Sequence, residues 1–259
     1  MLASGSSGNA AIVGSGRTRL LIDAGLTAPE LKRRLSRFDL GIEDLDGVVL
    51  THEHGDHIAG VAALAGRWGR TIYLTAGTRS RLMMLPSDSR IVEIEAGRSF
   101  CIGSLRVGPF PLSHDAAEPV GFTFENEIGK IGYVTDLGKV TDDVRHGLSG
   151  CRVLAIEFNH DRELLLTGPY PPLLKKRILG DMGHLSNNDS AELLRSSAHE
   201  GLEWVFLAHL SRTNNHPETA HRAAHRVLAG TDAERANINV ASQDDPGPWV
   251  TLDKKQTLW

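Results

Sequence analysis

The sequence predicts a single mixed α/β (α+β) domain, in which two stacked β-sheets carry helices on their outer faces. Three observations predict it. Short apolar or alternating segments of strand length recur through both halves of the 259-residue chain. Amphipathic segments of helix length lie between them in both halves. No linker, repeat or abrupt change of composition divides residues 1–259. Strands and helices that each have one apolar face to cover resolve into packed layers. At this length one domain buries about three-quarters of the surface its unfolded chain exposes.

The elements follow in order. Residues 10–13 and 20–23 read as a hairpin around Gly14-Ser15-Gly16. Pro29 to Leu35 reads as an amphipathic helix, with Pro29 in the first turn, where its missing N–H is no loss. An apolar strand over 47–51 ends in a polar run, and a helix from Ile58 to Trp68 follows. Short strands are expected at 71–75, 91–95, 105–112, 120–126 and 130–134, separated by turn residues. The second half predicts a strand at 152–156 and helices at 171–179 and 188–199, the latter started by Asn187-Asn188-Asp189. A strand at 204–208, a helix at 217–229 and terminal strands near 237–240 and 249–252 complete the chain.

Composition excludes several classes. The formal net charge is −4, so no global positive field draws in nucleic acid or an anionic membrane, and a polyanionic substrate needs a local basic patch. Cys101 and Cys151 stand far apart without a C-x-x-C partner, as expected of reduced structural cysteines. Met1-Leu2-Ala3-Ser4-Gly5 lacks the basic segment and apolar core of a signal peptide. No apolar stretch approaches the roughly 20 residues that span a bilayer. A soluble, cytoplasmic protein without a membrane partner is expected.

The chemistry concentrates after the strand at 47–51. In Leu50-Thr51-His52-Glu53-His54-Gly55-Asp56-His57, four strong metal-binding side chains fall within six residues. A helix would set His52 and His54 on roughly opposite sides. A strand end followed by a turn aims that pair one way and lets Asp56 and His57 reach a second point nearby. Imidazole and carboxylate in this pattern suit a pair of divalent cations with positions left open for water. His114, Asp136 and His209 each follow another strand candidate and supply the remaining donors. No thiolate is among them, so a nitrogen and oxygen site for zinc or manganese is expected.

This set resembles the metallo-β-lactamase superfamily over nearly the whole chain. The resemblance implies an αββα four-layer sandwich with the metal site at one edge of the two sheets. It implies that His52, His54 and His114 hold a first metal, that Asp56, His57 and His209 hold a second, and that Asp136 bridges them. Asp23, in Leu21-Ile22-Asp23-Ala24-Gly25, matches the family's early aspartate and is expected to steady a ligand histidine or the motif loop. Four further segments are Ser4-Gly5-Ser6-Ser7-Gly8-Asn9, Glu157-Phe158-Asn159-His160-Asp161, Gly168-Pro169-Tyr170-Pro171 and Gly183-His184-Leu185-Ser186-Asn187. Together they resemble the small bacterial exonucleases of the YycJ/WalJ type and, more distantly, ribonuclease Z. Glu157, His184 with Ser186, and His209 with Ser211 fall in the order seen there. The chain begins almost upon the Ser-Gly-Ser-Ser-Gly-Asn segment, which predicts a short first strand or a true start upstream.

A metal-dependent phosphodiesterase is the function these residues predict, a DNA exonuclease before an RNA-directed enzyme, with a hydroxide bridging two metals as nucleophile. Asp56 belongs to the catalytic set. His184 is the candidate acid for the leaving group, with Glu157 to orient it and raise its pKa, and His160 is a second candidate. Ser6, Ser7 and Asn9 are candidate phosphate contacts, and Ser211 stands with them near the last ligand. Lys175-Lys176-Arg177 is the most concentrated basic cluster and the candidate nucleic-acid face. Asn214-Asn215-His216 is placed at the pocket wall, while His146, His199, His221 and His225 read as surface residues. Two other classes use the same ligands: a hydrolase of small esters, thioesters or lactams, and a non-catalytic metal-binding regulatory protein. The first gives no reason for the 183–187 segment or the basic cluster, and an intact set of ligands with a candidate acid argues against the second.

Overall fold

A computed structural model describes residues 1–82 and 85–253. The first sheet contains β1 (Ala11–Ser15), β2 (Thr18–Ile22), β3 (Gly47–Val49), β4 (Thr71–Thr75) and β5 (Ile91–Ile94), in sequence order. Only the β1–β2 hairpin is antiparallel there. The second contains β6 (Phe100–Ile102), β7 (Leu105–Pro111), β8 (Val120–Glu125), β9 (Lys130–Val134), β10 (Val153–Glu157), β11 (Trp204–Ala208) and β12 (Asn237–Val240), again in sequence order. It is antiparallel from β6 to β9 and parallel from β9 to β12. The helices are α1 (Ala28–Leu35), α2 (Gly55–Ile58), α3 (Val61–Gly66), α4 (Ala76–Arg81), α5 (Asp142–Leu148), α6 (Arg162–Thr167), α7 (Pro172–Ile178), α8 (Asn187–Ser196) and α9 (Pro217–Leu228).

Strand periodicity of two assigns each side chain to a layer. In β2, Leu21 joins Leu31, Leu35, Val61 and Leu64 of α1 and α3, while Leu20 and Ile22 join Phe122, Tyr133 and Phe206 between the sheets. In β10, Leu154 and Ile156 meet Val144 and Leu148 of α5 and Leu193 and Leu194 of α8, while Val153 and Ala155 face the intersheet layer. Three apolar layers therefore separate four layers of structure. The order is helices, sheet, sheet, helices: the αββα sandwich.

Several expectations shift. The helix expected over 58–68 divides into α2 and α3 around Ala59 and Gly60. Gly60 donates its N–H to the Ala24 carbonyl at 2.7 Å, and a Cβ there would meet the Leu26 carbonyl oxygen at 2.5 Å, so the chain is clamped at that point. The strand expected at 249–252 is irregular. Val250 and Leu252 pack against the intersheet layer without pairing to a strand. α4, α5, α6 and β6 were not anticipated, and α8 starts one residue early, capped by the Ser186 hydroxyl, which accepts the Asp189 N–H.

The strands β2, β3, β9, β10 and β11 all end at one edge, and the residues just beyond those ends build the site. Phe122 lies fully buried in the intersheet layer. Phe122→Ala should lower unfolding free energy by about 3–5 kcal/mol in urea titrations, through lost burial and the cavity left behind. A loss below about 1 kcal/mol would show that the two sheets do not rely on this layer.

Candidate metal centre

Among the described residues, three of the four non-glycine residues with left-handed backbones lie just past strand ends: Asp23 (φ 57°), Asp136 (φ 59°) and His209 (φ 54°). Such conformations cost about 1–3 kcal/mol each and persist where surrounding contacts over-determine them. Here those contacts are visible. The His209 N–H donates to the Ser4 hydroxyl at 2.8 Å, and its carbonyl accepts Asn159 Nδ2 at 3.0 Å. Glu157 accepts the N–H groups of Asp136 at 3.3 Å and Leu137 at 3.0 Å. The Asp23 carboxylate takes the Thr51 N–H at 2.8 Å.

Four overlapping groups of donors converge, one of them Asp136, Glu157, His184 and His209, and two of the four define the centre. His52, His54 and His114 bring one nitrogen each within 4.8 Å of the others. His114 Nε2 and His54 Nδ1 stand 3.3 Å apart, close to the ~3.3 Å edge of a tetrahedron built on zinc–nitrogen bonds of about 2.0 Å. In the second group, Asp56 Oδ2 lies 3.5 Å from both His57 Nε2 and His209 Nε2. Asp136 stands between the groups. Its Oδ2 is 3.1 Å from His57 Nε2, and its Oδ1 is 3.4 Å from His209 Nδ1 and 3.9 Å from His114 Nε2.

The fit of these residues to divalent cations is tested by their unpartnered atoms. His52 Nε2, His209 Nε2 and Asp136 Oδ2 are buried with no hydrogen-bond partner, an arrangement that costs about 1–3 kcal/mol per atom unless a ligand satisfies it. The opposite ring nitrogens are already engaged. His57 Nδ1 donates to Asp23 Oδ2 at 2.8 Å, His114 Nδ1 to the Gly183 carbonyl at 3.1 Å, and His209 Nδ1 to Glu157 Oε1 at 2.9 Å. His52 Nδ1 contacts the Thr51 hydroxyl at 2.9 Å, and that hydroxyl donates to Asp23 at 2.9 Å. Imidazoles that bind metals are held in this way, through the nitrogen that does not bind. The donor set fits.

Electrostatics agree. Burial opposes ionisation of Asp136, but the positive fields of His209 and His57 outweigh it and hold the carboxyl well below its ordinary range. Burial likewise disfavours charge on His209, yet Asp136, Asp56 and Glu157 raise it to about 10. The cage is anionic and draws positive charge inward. His52 and His114 go the other way: burial lowers both, which keeps their rings neutral and their lone pairs free.

Glu157 lies at the centre of the support. Fully buried, it also accepts His184 Nδ1 at 2.9 Å and the Leu185 N–H at 3.1 Å. Burial raises its pKa, but His184 and His209 lower it further, to about 2. His184 is opposed by burial and raised overall by Glu157, and it faces a cleft of about 170 Å³. His114, Ser6, Ser211 and Arg177 line the same cleft.

The other sequence candidates separate. His160 is buried, neither ring nitrogen has a partner, and burial lowers its pKa to about 4. It stands behind the His184 loop, with its carbonyl accepting the Asn187 N–H at 2.8 Å. Asn9 is turned inward: its oxygen accepts the Gly5 N–H at 2.9 Å and its amide donates to Asp56 Oδ2 at 3.2 Å. Ser7 is exposed and donates its N–H to Gln243 at 2.9 Å. In the basic cluster, Lys176 is exposed, Lys175 donates to the Leu166 carbonyl at 2.7 Å, and Arg177 pairs with Asp115 at 2.5 Å. Sequence reasoning missed Ser4, Thr51, Asp115 and Asn159. Thr51, directly before His52, and Ser4 and Asn159, inside two of the resembling segments, carried a positional signal; Asp115 carried only its place after His114.

The family model described as a beta-lactamase superfamily domain matches residues 18–204. The chain is 36% identical over 232 residues to exodeoxyribonuclease YycJ of Bacillus anthracis, covering 88% of each. It is 36% identical over 237 residues to exodeoxyribonuclease WalJ of Streptococcus pneumoniae, covering 90% of this chain and 88% of that one. Among solved structures, the metallo-beta-lactamase fold protein YhfI from Bacillus subtilis superposes with a TM-score of 0.71 at 16% identity, over 93% of both chains. Human tRNase Z, short form, gives 0.60 at 18% identity, over 82% of this chain and 92% of that one. At these identities the two structures show a shared fold.

Gly25 sets how closely the motif loop approaches the first sheet. A Cβ there would lie 1.7 Å from the Asp56 carbonyl oxygen and 2.5 Å from the Asn9 nitrogen. Gly25→Ala should therefore displace Asp56 while leaving the circular dichroism spectrum native. Affinity for zinc, read by competition with a chelating dye, should fall about 10–100-fold, the usual scale for loss of ligand support. Unchanged affinity would show that the loop adjusts freely.

Proposed function

Since this chain belongs to the metallo-β-lactamase superfamily, we propose that it is a dinuclear exonuclease acting on DNA. The chain is a metal-dependent hydrolase acting on phosphodiester bonds; the number of cations, the DNA substrate and the roles of individual residues are the proposal. The observation that carries it is the Glu157–His184 pair, in which His184 Nδ1 meets Glu157 at 2.9 Å on the wall of the cleft that also contains His114. A sugar alkoxide is a poor leaving group and needs a proton as the P–O bond breaks.

Each residue then has a task. His52, His54 and His114 would hold one cation and Asp56, His57 and His209 the other, with Asp136 placed to serve both. Zinc and manganese both suit this nitrogen and oxygen set. Cations held there supply Lewis acidity to the phosphate and acidify a water enough for attack at neutral pH. Asp23 and Thr51 fix the rings of His57 and His52. Ser6, Ser211 and Arg177 receive the phosphate at the cleft. Glu157 keeps the Nδ1 proton of His184 in place, so Nε2 is the nitrogen that donates to the departing oxygen.

His184→Ala should keep both cations and the fold while losing roughly 10²–10⁴-fold in rate on a nucleic-acid strand. A phosphodiester with a nitrophenolate leaving group, which departs without a proton, should recover most of that loss. Equal damage on both substrates, or loss of a cation, would reject the assignment. Metal analysis after gentle reconstitution should find two cations per chain, fewer than one in Asp136→Ala, and about one in His209→Ala. Full activity with a single bound cation would overturn the dinuclear reading.

A further inference from the structure

Among the described residues, the large apolar side chains left exposed are Val92, Leu166, Leu173, Met182 and Trp249. Three of these five fall within residues 166–182, the segment that borders the cleft. Leu173 is 83% exposed. Met182 adjoins the loop of His114, where its carbonyl accepts the Asp115 N–H at 3.1 Å and its sulfur accepts the Ser113 hydroxyl at 3.4 Å. Arg177 ties α7 to that same loop through Asp115 at 2.5 Å, and Lys175 ties α7 to α6 through the Leu166 carbonyl at 2.7 Å. Tyr170, half-buried, lines the cleft together with His114 and His184.

Isolated exposed leucines are ordinary, but apolar groups collected beside a polar site mark a contact surface. The surroundings say what it contacts. Lys176 and Arg177 follow Leu173 by three and four residues on α7, so an apolar projection and two cations share one face of a helix. The cleft, at about 170 Å³, is smaller than the ~300–1,000 Å³ of sites that enclose a whole drug-sized ligand. A cleft of this size suits one nucleotide's phosphate and sugar better than a stacked base pair, with Tyr170 on its wall beside His114 and His184.

We propose that the α6–α7 rim receives a nucleic-acid end and unpairs its last nucleotide. Leu173 enters against the terminal base pair, Tyr170 stacks on the freed base, and Lys176 and Arg177 hold the backbone. Aliphatic wedges part base steps in this way, and aromatic rings carry unpaired bases without regard to sequence. The inference rests on the nuclease reading above and specifies the form of strand that reaches the centre.

The test uses one sequence in three forms: a blunt duplex, the duplex with a short unpaired tail at the degraded end, and the single strand. Leu173→Ser should lower the ratio of blunt-duplex to single-strand rate about ten-fold, and the tail should restore it. Tyr170→Ala should raise KM about ten-fold on all three, and Tyr170→Phe, which keeps the ring, should return it to the parent value. Val92→Ser, on β5, serves as the exposed-residue control and should change neither quantity. An unchanged ratio in Leu173→Ser, or Tyr170→Phe as impaired as Tyr170→Ala, overturns the rim while the nuclease reading stands. A parent protein that degrades none of the three forms overturns both.

Discussion

Buried negative charge at one edge of the sandwich is the constraint on which the structure depends. Asp23, Asp136 and Glu157 lie between 0% and 3% exposed, and carboxylates removed from water are tolerated only when cations and hydrogen bonds surround them. The protein supplies both. Asp23 is met by Thr51 and His57, Asp136 by His57 and His209, and Glu157 by His184, His209 and three backbone N–H groups. Three atoms of the cage remain unsatisfied, and all three are donors to the proposed cations. The residual demand for positive charge is the property that the site uses.

The fold meets that demand through strand ends. Parallel strands deliver their C-terminal ends to one edge, so residues distant in sequence arrive side by side. The left-handed turns at Asp23, Asp136 and His209 convert strand direction into side-chain direction. Their strain is held by contacts that cross the sheets. Ser4, beside the first strand, accepts the His209 N–H after the eleventh, and Glu157, ending β10, spans Asp136 and His209 on its two neighbours. A change at Glu157 therefore reaches the donor geometry and His184 together, whereas a change at His184 removes one partner of Glu157 and leaves its contacts to His209, Asp136, Leu137 and Leu185. This separation is why leaving-group dependence distinguishes them.

Much of the architecture was legible because period-two burial on strands is a local signal. Leu20, Leu21 and Ile22 already declare two faces, and Gly47-Val48-Val49-Leu50 declares a strand covered on both. The short helices α4, α5 and α6 were not legible, since six or seven residues carry little helical preference of their own and are stabilised by tertiary packing. Gly60 broke a continuous helical pattern for a reason that only the neighbouring Leu26 carbonyl reveals. At the site, the donors were visible as residue types after strand candidates. Among their supports, Asp23 and Glu157 were named from the sequence, but Ser4, Asp115 and Asn159 act through contacts that exist only once the edge is assembled. Asn9 shows the same limit from the other side, since its polar character suggested substrate and its burial assigns it to Asp56 and the Gly5 turn.

The central claim is that one carboxylate, Asp136, is shared by two cations in a single anionic cage. Manganese titrated into chelator-treated protein, followed by electron paramagnetic resonance, tests it directly. The account predicts that the second equivalent replaces the isolated-ion spectrum with an exchange-coupled one, and that Asp136→Ala abolishes the coupled signal. Two equivalents that bind with no coupling, or saturation at one, would contradict it.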